Sequence, residues 1–162
     1  MNALLTDARA VCESVPDPEL PMVTIGDLGI VRDVVVDADG HVDVAVTPTY
    51  SGCPATEVIQ ADIRSALASN GFTDVRVRTV LAPAWTTDWI TEAGRRKLEQ
   101  HGIVPPSGRG VSAGPVDLEL GVRCPRCGSI DTKLVSRFGS TPCQAMYRCT
   151  SCLEPFDRVK PH

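Results

Sequence analysis

Aromatic residues are scarce in this chain of 162 residues, at 4% of the sequence. The chain also has no apolar run near the roughly 20 residues that a membrane-spanning helix needs. Its N-terminus lacks a basic stretch and carries Asp7 early, which is unlike a signal peptide. The lack of a membrane-spanning run and of a signal peptide predicts a cytoplasmic, reducing location. The seven cysteines are therefore better explained as metal ligands or reactive thiols than as disulfides.

Two patterns typical of redox enzymes are missing as well. The sequence has no Glu-x-x-His pairs of a di-iron helical bundle and no glycine-rich dinucleotide fingerprint. We therefore do not expect the chain to catalyse an oxidation on its own.

Charge is unevenly distributed along the chain. Residues 1–121 contain 9 Lys/Arg and 17 Asp/Glu, a net charge of −8, whereas residues 122–162 contain 7 and 3, a net charge of +4. A basic tail can bind nucleic acid, but so few charges and aromatic side chains support that weakly. Docking of the tail onto an acidic protein surface is the simpler interpretation.

Hydrophobic periodicity predicts a small α+β domain. Apolar residues recur at helical spacing over residues 4–15, and Pro16 should end that helix. Two β-branched runs around Asp37-Ala38-Asp39-Gly40 predict a β-hairpin. A second helix then runs to Asn70-Gly71, and a third strand follows at residues 75–79. The order α-β-β-α-β predicts a two-layer domain whose last strand pair is parallel, because a helix crosses between the two strands.

A further helix is predicted after this unit. Thr87 is its expected N-cap, and Gly102 suits its C-terminal end. Both tryptophans, Trp85 and Trp89, precede it. They either line a ligand or partner surface or close the core.

The central stretch of the sequence is Thr47-Pro48-Thr49-Tyr50-Ser51-Gly52-Cys53-Pro54-Ala55, where a strand pattern changes to a helical one. Pro54 suits the first turn of a helix, which places Cys53 at the N-cap or beside it. The positive end of the helix dipole there favours thiolate, and the hydroxyls of Thr49, Tyr50 and Ser51 lie nearby. The alternative is that Cys53 is a small side chain packed under a turn.

Two carboxylates, Asp17 and Glu19, lie on a loop stiffened by Pro16, Pro18 and Pro21. They are either part of a solvated turn or oxygen ligands and proton acceptors near the central cysteine. Sequence spacing alone does not bring them to that cysteine.

The C-terminal part carries two C-x-x-C pairs after a linker rich in Gly, Pro and Ser at residues 105–121. We expect an α/β domain over residues 1–104 and a metal module over residues 122–162. Two such pairs are a strong signal for a closed, structural zinc site, and an iron–sulfur cluster is the alternative. Cys143 is a fifth thiol of the module, either packed between strands or reactive. The four predicted ligands are Cys124, Cys127, Cys149 and Cys152.

These motifs resemble known families. Asp17-Pro18-Glu19 together with Thr49-x-x-x-Cys53-Pro54 resembles the small α/β domain of the iron–sulfur assembly family. Nearly all of residues 12–160 resembles the family of D subunits of bacterial phenylacetyl-CoA epoxidases. The stretches that carry this likeness include Trp85-Thr86-Thr87-Asp88-Trp89-Ile90, Phe138-Gly139-Ser140-Thr141 and Glu154-Pro155-Phe156.

The resemblance implies an accessory role in phenylacetate breakdown. It implies that the chain assists the assembly of iron or an iron–sulfur cluster in the di-iron oxygenase or in its [2Fe–2S] reductase, which would be its partners. Cys53 would hold iron or a cluster transiently, with Asp17, Glu19 and Thr49 assisting, and a homodimer could bring two Cys53 residues together. The ribbon would dock the client. The alternatives are a non-catalytic structural subunit of the same complex and a ribbon that binds nucleic acid.

Overall fold

The computed structural model describes residues 2–50, 52–106 and 121–161. The chain forms two compact units, Met1–Gly94 and Arg95–His162. No helix within the described residues has both the length and the apolar character needed to span a bilayer.

The first unit contains the predicted α-β-β-α-β order. Its elements in chain order are α1 (Asn2–Glu13), β1 (Val31–Val36), β2 (Val42–Val46), α2 (Ala55–Ser69) and β3 (Val75–Thr79). The predicted fold class, a small α+β domain followed by a ribbon of strands, is confirmed.

The three strands form one sheet in the order β1-β2-β3. β1 pairs antiparallel with β2, as a tight hairpin requires, and β2 pairs parallel with β3 because α2 crosses between them. Val34, Val44 and Val77 lie side by side in register. They form a buried valine row on one face of the sheet.

Both helices cover that face. α1 packs on β1, α2 packs on β3, and the two helices contact each other. The side chains that they bury repeat at four-residue spacing, which is why one stripe of each helix faces the sheet. The buried helical residues are Ala8 and Cys12 of α1 and Ala55, Ile59, Ile63 and Leu67 of α2.

The C-terminal end of α2 follows from its sequence. Gly71 adopts φ +90°, and its N–H donates to the carbonyl of Ala68 at 3.1 Å. The N–H of Phe72 donates to the carbonyl of Leu67 at 3.0 Å. These two bonds form a Schellman motif, which needs the left-handed backbone that glycine adopts without a Cβ clash.

The predicted third helix is divided into two pieces, and the N-cap prediction was wrong. Residues Thr87–Trp89 form one turn of 3-10 helix capped by Thr86, and α3 begins only at Glu92 and ends at Gln100. The Thr91 hydroxyl accepts a 3.0 Å hydrogen bond from the N–H of Gly94, so Thr91 takes the capping role.

The second unit contains a three-stranded antiparallel sheet in the order β4-β5-β6, formed by Thr132–Ser136, Gln144–Cys149 and Pro155–Val159. Val104 pairs with β6 through its N–H and carbonyl, so the chain just before residue 106 lies with this sheet. The compact units therefore divide earlier than the expected domains. The limits 1–104 and 122–162 stay a prediction for independently folding domains, and most of the expected linker lies outside the described residues.

The apolar core of this sheet is small. One buried cluster comprises Val122, Cys124, Cys149 and Phe156, with Val104 and Tyr147 packed against it, and the strands also bury Ala145 and Val159. So few apolar side chains do not stabilise a fold by themselves. We therefore expect a bound metal to supply the remaining free energy of folding.

Candidate functional site

Cys53 lies immediately before α2 with its side chain half-buried. Pro54 is the N-cap residue, so Cys53 is the residue beside the cap. Its carbonyl accepts hydrogen bonds from the N–H and the hydroxyl of Thr56, at 3.2 and 2.9 Å. The backbone of Cys53 is therefore held by the first helical turn, and the residue as a whole is partly exposed.

The loop that leads to this cysteine contains a buried hydroxyl that the sequence patterns did not reveal. Thr47 directly follows β2 and is 1% exposed, and its Oγ1 has no hydrogen-bond partner among the described residues. Thr49 and Tyr50 are half-buried, and Ser51 lies outside the described residues. The only sequence signal for Thr47 was its position at the end of a buried strand.

Asp17 is buried inside its own turn. Its Oδ1 accepts the backbone N–H groups of Glu19 and Leu20 at 2.9 and 2.8 Å. Burial raises the pKa of Asp17 above its ordinary value, although the two N–H groups act in the opposite direction. Partial burial, and then the nearby charge of Asp17, raise the pKa of Glu19. The two carboxylates thus influence each other as one acidic turn.

A cleft of about 440 Å³ opens beside this acidic turn. The proline loop forms one wall, and one face of α2 forms the other through Asp62, Ser65 and Ala66. The sequence patterns did not single out Asp62, whose only signal was that these three residues share one helix face at spacings of three and four.

The cleft and Cys53 lie at different positions along α2. Cys53 is not among the described residues that line the cleft. Cys53 lies before the first helical residue, Ala55, and Asp62 lies a further seven residues along the helix, a rise of about 10 Å. The described contacts thus join Asp17 and Glu19 to each other but not to Cys53, and their joint action on a metal stays a prediction.

The four cysteines of the second unit converge. Two tight turns carry them, one before β4 and one between β5 and β6, and their Sγ atoms all lie within 4.8 Å of one another. A tetrahedral ion with metal–sulfur bonds of about 2.3 Å separates its ligand sulfurs by about 3.8 Å. The observed distances are 3.7 Å between Cys124 and Cys152 and 3.6 Å between Cys127 and Cys149. The cluster therefore fits one metal ion.

The turn between β5 and β6 favours the thiolate of Cys149, whereas desolvation and hydrogen bonds with the neighbouring thiols raise the pKa of Cys152 to about 12. The backbone N–H of Cys152 donates to the Sγ of Cys149 at 3.5 Å. This bond is the main cause that lowers the pKa of Cys149 to about 6. A thiol must lose its proton to bind a metal, so the turn lowers the cost of binding.

The two remaining thiols, Cys12 and Cys143, are buried. Cys12 is fully buried on α1, and desolvation, with a smaller effect from Glu13, raises its pKa to about 11. Cys143 is 9% exposed, directly before β5, and the Thr141 hydroxyl lies 3.0 Å from its sulfur. Neither belongs to the four-sulfur cluster.

The tryptophans have separate environments. Trp85 is 7% exposed and donates its indole N–H to the carbonyl of Leu28 at 2.8 Å, so it closes the core. Trp89 is half-buried, and the guanidinium carbon of Arg32 lies 3.5 Å from the centroid of its ring. This cation–π contact ties the 3-10 turn to β1.

Comparisons with known proteins match both units. The family model described as "Iron-sulfur cluster assembly protein" matches residues 5–79, which include Asp17, Glu19, Thr49 and Cys53. The model described as "PaaD zinc beta ribbon domain" matches residues 109–160, which include all four clustered cysteines.

Individual relatives agree with these matches. The Fe-S protein maturation auxiliary factor YitW of Bacillus subtilis (strain 168) is 39% identical over 60% of this chain and 95% of its own length. The crystal structure of a domain of unknown function, DUF59, from Bacillus anthracis superposes with a TM-score of 0.57 and 30% identity. That superposition covers 60% of this chain and 92% of the other.

One relative spans both units. A protein of Escherichia coli (strain K12), named as the D subunit of 1,2-phenylacetyl-CoA epoxidase, is 53% identical over 93% of this chain and 89% of its own. The chain belongs to the family of phenylacetyl-CoA epoxidase D subunits, in which an iron–sulfur assembly domain precedes a zinc ribbon.

Proposed function

We propose that this chain is an accessory maturation subunit of the multicomponent phenylacetyl-CoA 1,2-epoxidase. In this role it assists the assembly of iron or of an iron–sulfur cluster in the oxygenase or its reductase, and it does not catalyse the epoxidation. Cys53 binds the iron or cluster transiently and then releases it to the client. The iron or cluster is cargo here, because the acceptor keeps it.

The observation that carries this proposal is the accessibility of Cys53. The residue is half-buried beside a helix start, inside the stretch matched by the assembly family. Among the described residues, the only group of three or more side chains that could hold a metal is the four-cysteine cluster of the second unit. A lone accessible thiol binds metal weakly, which suits a transfer step. A second Cys53 from a homodimer, or a ligand from the client, would complete the coordination.

We further propose that the four-cysteine cluster holds structural zinc. The short sulfur–sulfur distances support one ion, because a multi-iron cluster places its cysteines on different iron atoms and needs them farther apart. Four thiolates fill the tetrahedral shell, which leaves no open position for a substrate. The role of the ion is then to hold a ribbon whose apolar core is small.

The test is Cys53→Ser in a strain that depends on this chain for growth on phenylacetate. We expect growth to fail, and we expect the purified oxygenase or reductase to contain less iron or sulfide than it does with the wild-type chain. Cys143→Ser is the matched control, because Cys143 belongs to no cluster, and it should grow normally. Normal growth of Cys53→Ser with fully loaded client proteins would exclude the proposal.

The second candidate is a non-catalytic structural subunit of the same complex. Among the described residues, Cys53 belongs to no group of three or more side chains that could hold a metal, which also favours this role. Such a subunit would copurify with the oxygenase in fixed stoichiometry, and its complex would be indifferent to Cys53→Ser. The growth experiment therefore separates the two candidates.

A further inference from the structure

The two metal-binding turns differ at the residue that follows their second cysteine. Gly128 follows Cys127 and has φ +75°, and Leu153 follows Cys152 and has φ +66°. Both positions need a left-handed backbone, which glycine adopts freely and which costs other residues energy through the Cβ atom. Leu153 is the only non-glycine residue with positive φ in the part of the chain that the structure describes.

Packing within the chain does not account for this leucine. Its side chain is 60% exposed, so it contributes little to the ribbon core. A glycine would satisfy the same turn with less strain, as Gly128 does in the other one. Strained backbone of this kind persists mainly where it serves a function, so the strain at this exposed leucine indicates a contact with a molecule outside this chain.

The charges beside Leu153 indicate the chemistry of that molecule. Arg148 donates its Nε–H to the carbonyl of Leu153 at 3.3 Å, and Lys133 lies directly opposite Arg148 in the β4–β5 register. Like charges opposite each other destabilise a strand pair. Neither cation forms an ion pair with the described carboxylates. An anionic group from a partner would relieve this repulsion.

Strand addition is a poor way for a partner to use this surface. β4 is an edge strand, but its pairing with β5 shifts between Leu134 and Ser136. A bulge of this kind disrupts the regular row of backbone groups that an added strand needs. Recognition through side chains is the mode that the geometry favours.

We propose that Leu153, Lys133 and Arg148 form a docking surface for the client protein, which presents a small apolar pocket with carboxylates around it. This inference rests on the proposed function, because it assumes that a client exists. It assigns the docking to the metal-binding end of the ribbon and leaves the cargo thiol Cys53 to the other unit.

The experiment titrates the full-length, zinc-loaded chain with the purified reductase and with the purified oxygenase of the epoxidase. We expect Leu153→Gly to weaken binding to the client at least tenfold while the melting temperature rises by about 2–4 °C, since the strain is removed. Leu153→Asn, which tolerates the same backbone, should weaken binding similarly. Leu81→Gly is the matched control, because Leu81 is 62% exposed in the other unit, and its affinity should stay within twofold.

The outcomes separate this inference from the proposed function. If the wild-type chain binds a client and Leu153→Gly binds it equally well, the docking surface is wrong and the proposed function stands. If the wild-type chain binds neither protein, both fail. A wild-type dimer in sedimentation that Leu153→Gly abolishes, with client binding unchanged, would assign the surface to a second copy and overturn client docking. A fall in melting temperature for Leu153→Gly would refute the strain on which the argument rests.

Discussion

The Sγ atoms of Cys127 and Cys149 lie 3.6 Å apart although the two residues are 22 positions apart in the chain. The first belongs to the turn before β4, and the second ends β5. Closing so long a loop costs conformational entropy, which the small core of the ribbon does not offset. A metal ion that bonds to both sulfurs supplies the missing free energy, so the ribbon should fold only when it binds metal.

Replacement of a single clustered thiol should therefore unfold the ribbon. We expect Cys149→Ser to lose the bound metal and the dispersed amide signals of β4–β6, whereas the signals of the first unit persist. The measurement is metal content by mass spectrometry together with an amide NMR spectrum. Cys143→Ser should keep about one metal ion per chain. Retention of metal by Cys149→Ser would contradict a four-sulfur site.

The thiols of the first unit should differ in reactivity. Cys12 is fully buried and has a pKa of about 11, so about one molecule in ten thousand carries the thiolate at pH 7. Cys53 is half-buried. In native protein, iodoacetamide should modify Cys53 and leave Cys12 unmodified until denaturant is added, as peptide mass mapping would reveal. Equal modification of the two thiols would argue against the burial of Cys12.

The stability of the first unit should depend on the close contact between Gly29 and Trp89. Gly29 has φ +69°, and an added Cβ would lie 2.6 Å from the carbonyl oxygen of Trp89. Gly29→Ala should therefore lower the free energy of unfolding by more than about 2 kcal/mol, from backbone strain and from this clash. A urea titration followed by tryptophan fluorescence would measure the loss.

Gly40→Ala is the control for that experiment. Gly40 also has positive φ, at +86°, but nothing lies within 4 Å of its added Cβ. Its substitution should cost only the backbone strain, roughly 1 kcal/mol. Equal losses for the two variants would indicate that the contact with Trp89 adds nothing.

The acidic turn should tolerate replacement of the Asp17 carboxylate by an amide better than its replacement by a methyl group. Asn at position 17 keeps an oxygen that accepts the N–H groups of Glu19 and Leu20, so Asp17→Asn should change stability by less than about 1 kcal/mol at neutral pH. Asp17→Ala leaves both donors without their acceptor and should cost roughly 1–3 kcal/mol. Urea titrations of the two variants at one pH would compare them.

The difference in stability between wild type and Asp17→Asn should also depend on pH. Because burial raises the pKa of Asp17 in the folded chain, the folded state holds its proton to a higher pH than the unfolded state does. The stability of wild type relative to Asp17→Asn should thus be greatest below the ordinary pKa of an aspartic acid. It should then fall as the pH rises through the raised pKa of Asp17. A relative stability that rises over this range would show that the N–H groups outweigh burial.

Local patterns were sufficient for most of the fold. The β-branched runs and the turn between them predicted the β1–β2 hairpin, and the crossing helix predicted that β3 pairs parallel with β2. Asn70-Gly71 marked the end of α2, because a Schellman motif is a local structure. Two C-x-x-C pairs predicted the sulfur cluster because each pair forms its own turn.

The errors arose where long-range contacts compete with local preference. Thr87 has the chemistry of an N-cap, but it is 6% exposed within a 3-10 turn, and Thr91 caps α3 instead. The N–H of Thr91 is held by the carbonyl of Asp27 at 2.8 Å, a contact between residues far apart in sequence. No helical pattern contains that information.

The sequence by itself determined the order of elements, the position of Cys53 beside a helix start and the identity of the four clustered cysteines, since each depends on residues close along the chain. Only the tertiary structure decided that Asp17 opens onto a cleft with Asp62 and that Leu153 is exposed in a left-handed turn. The reason is that burial, backbone strain and neighbouring charge depend on segments that meet only after folding.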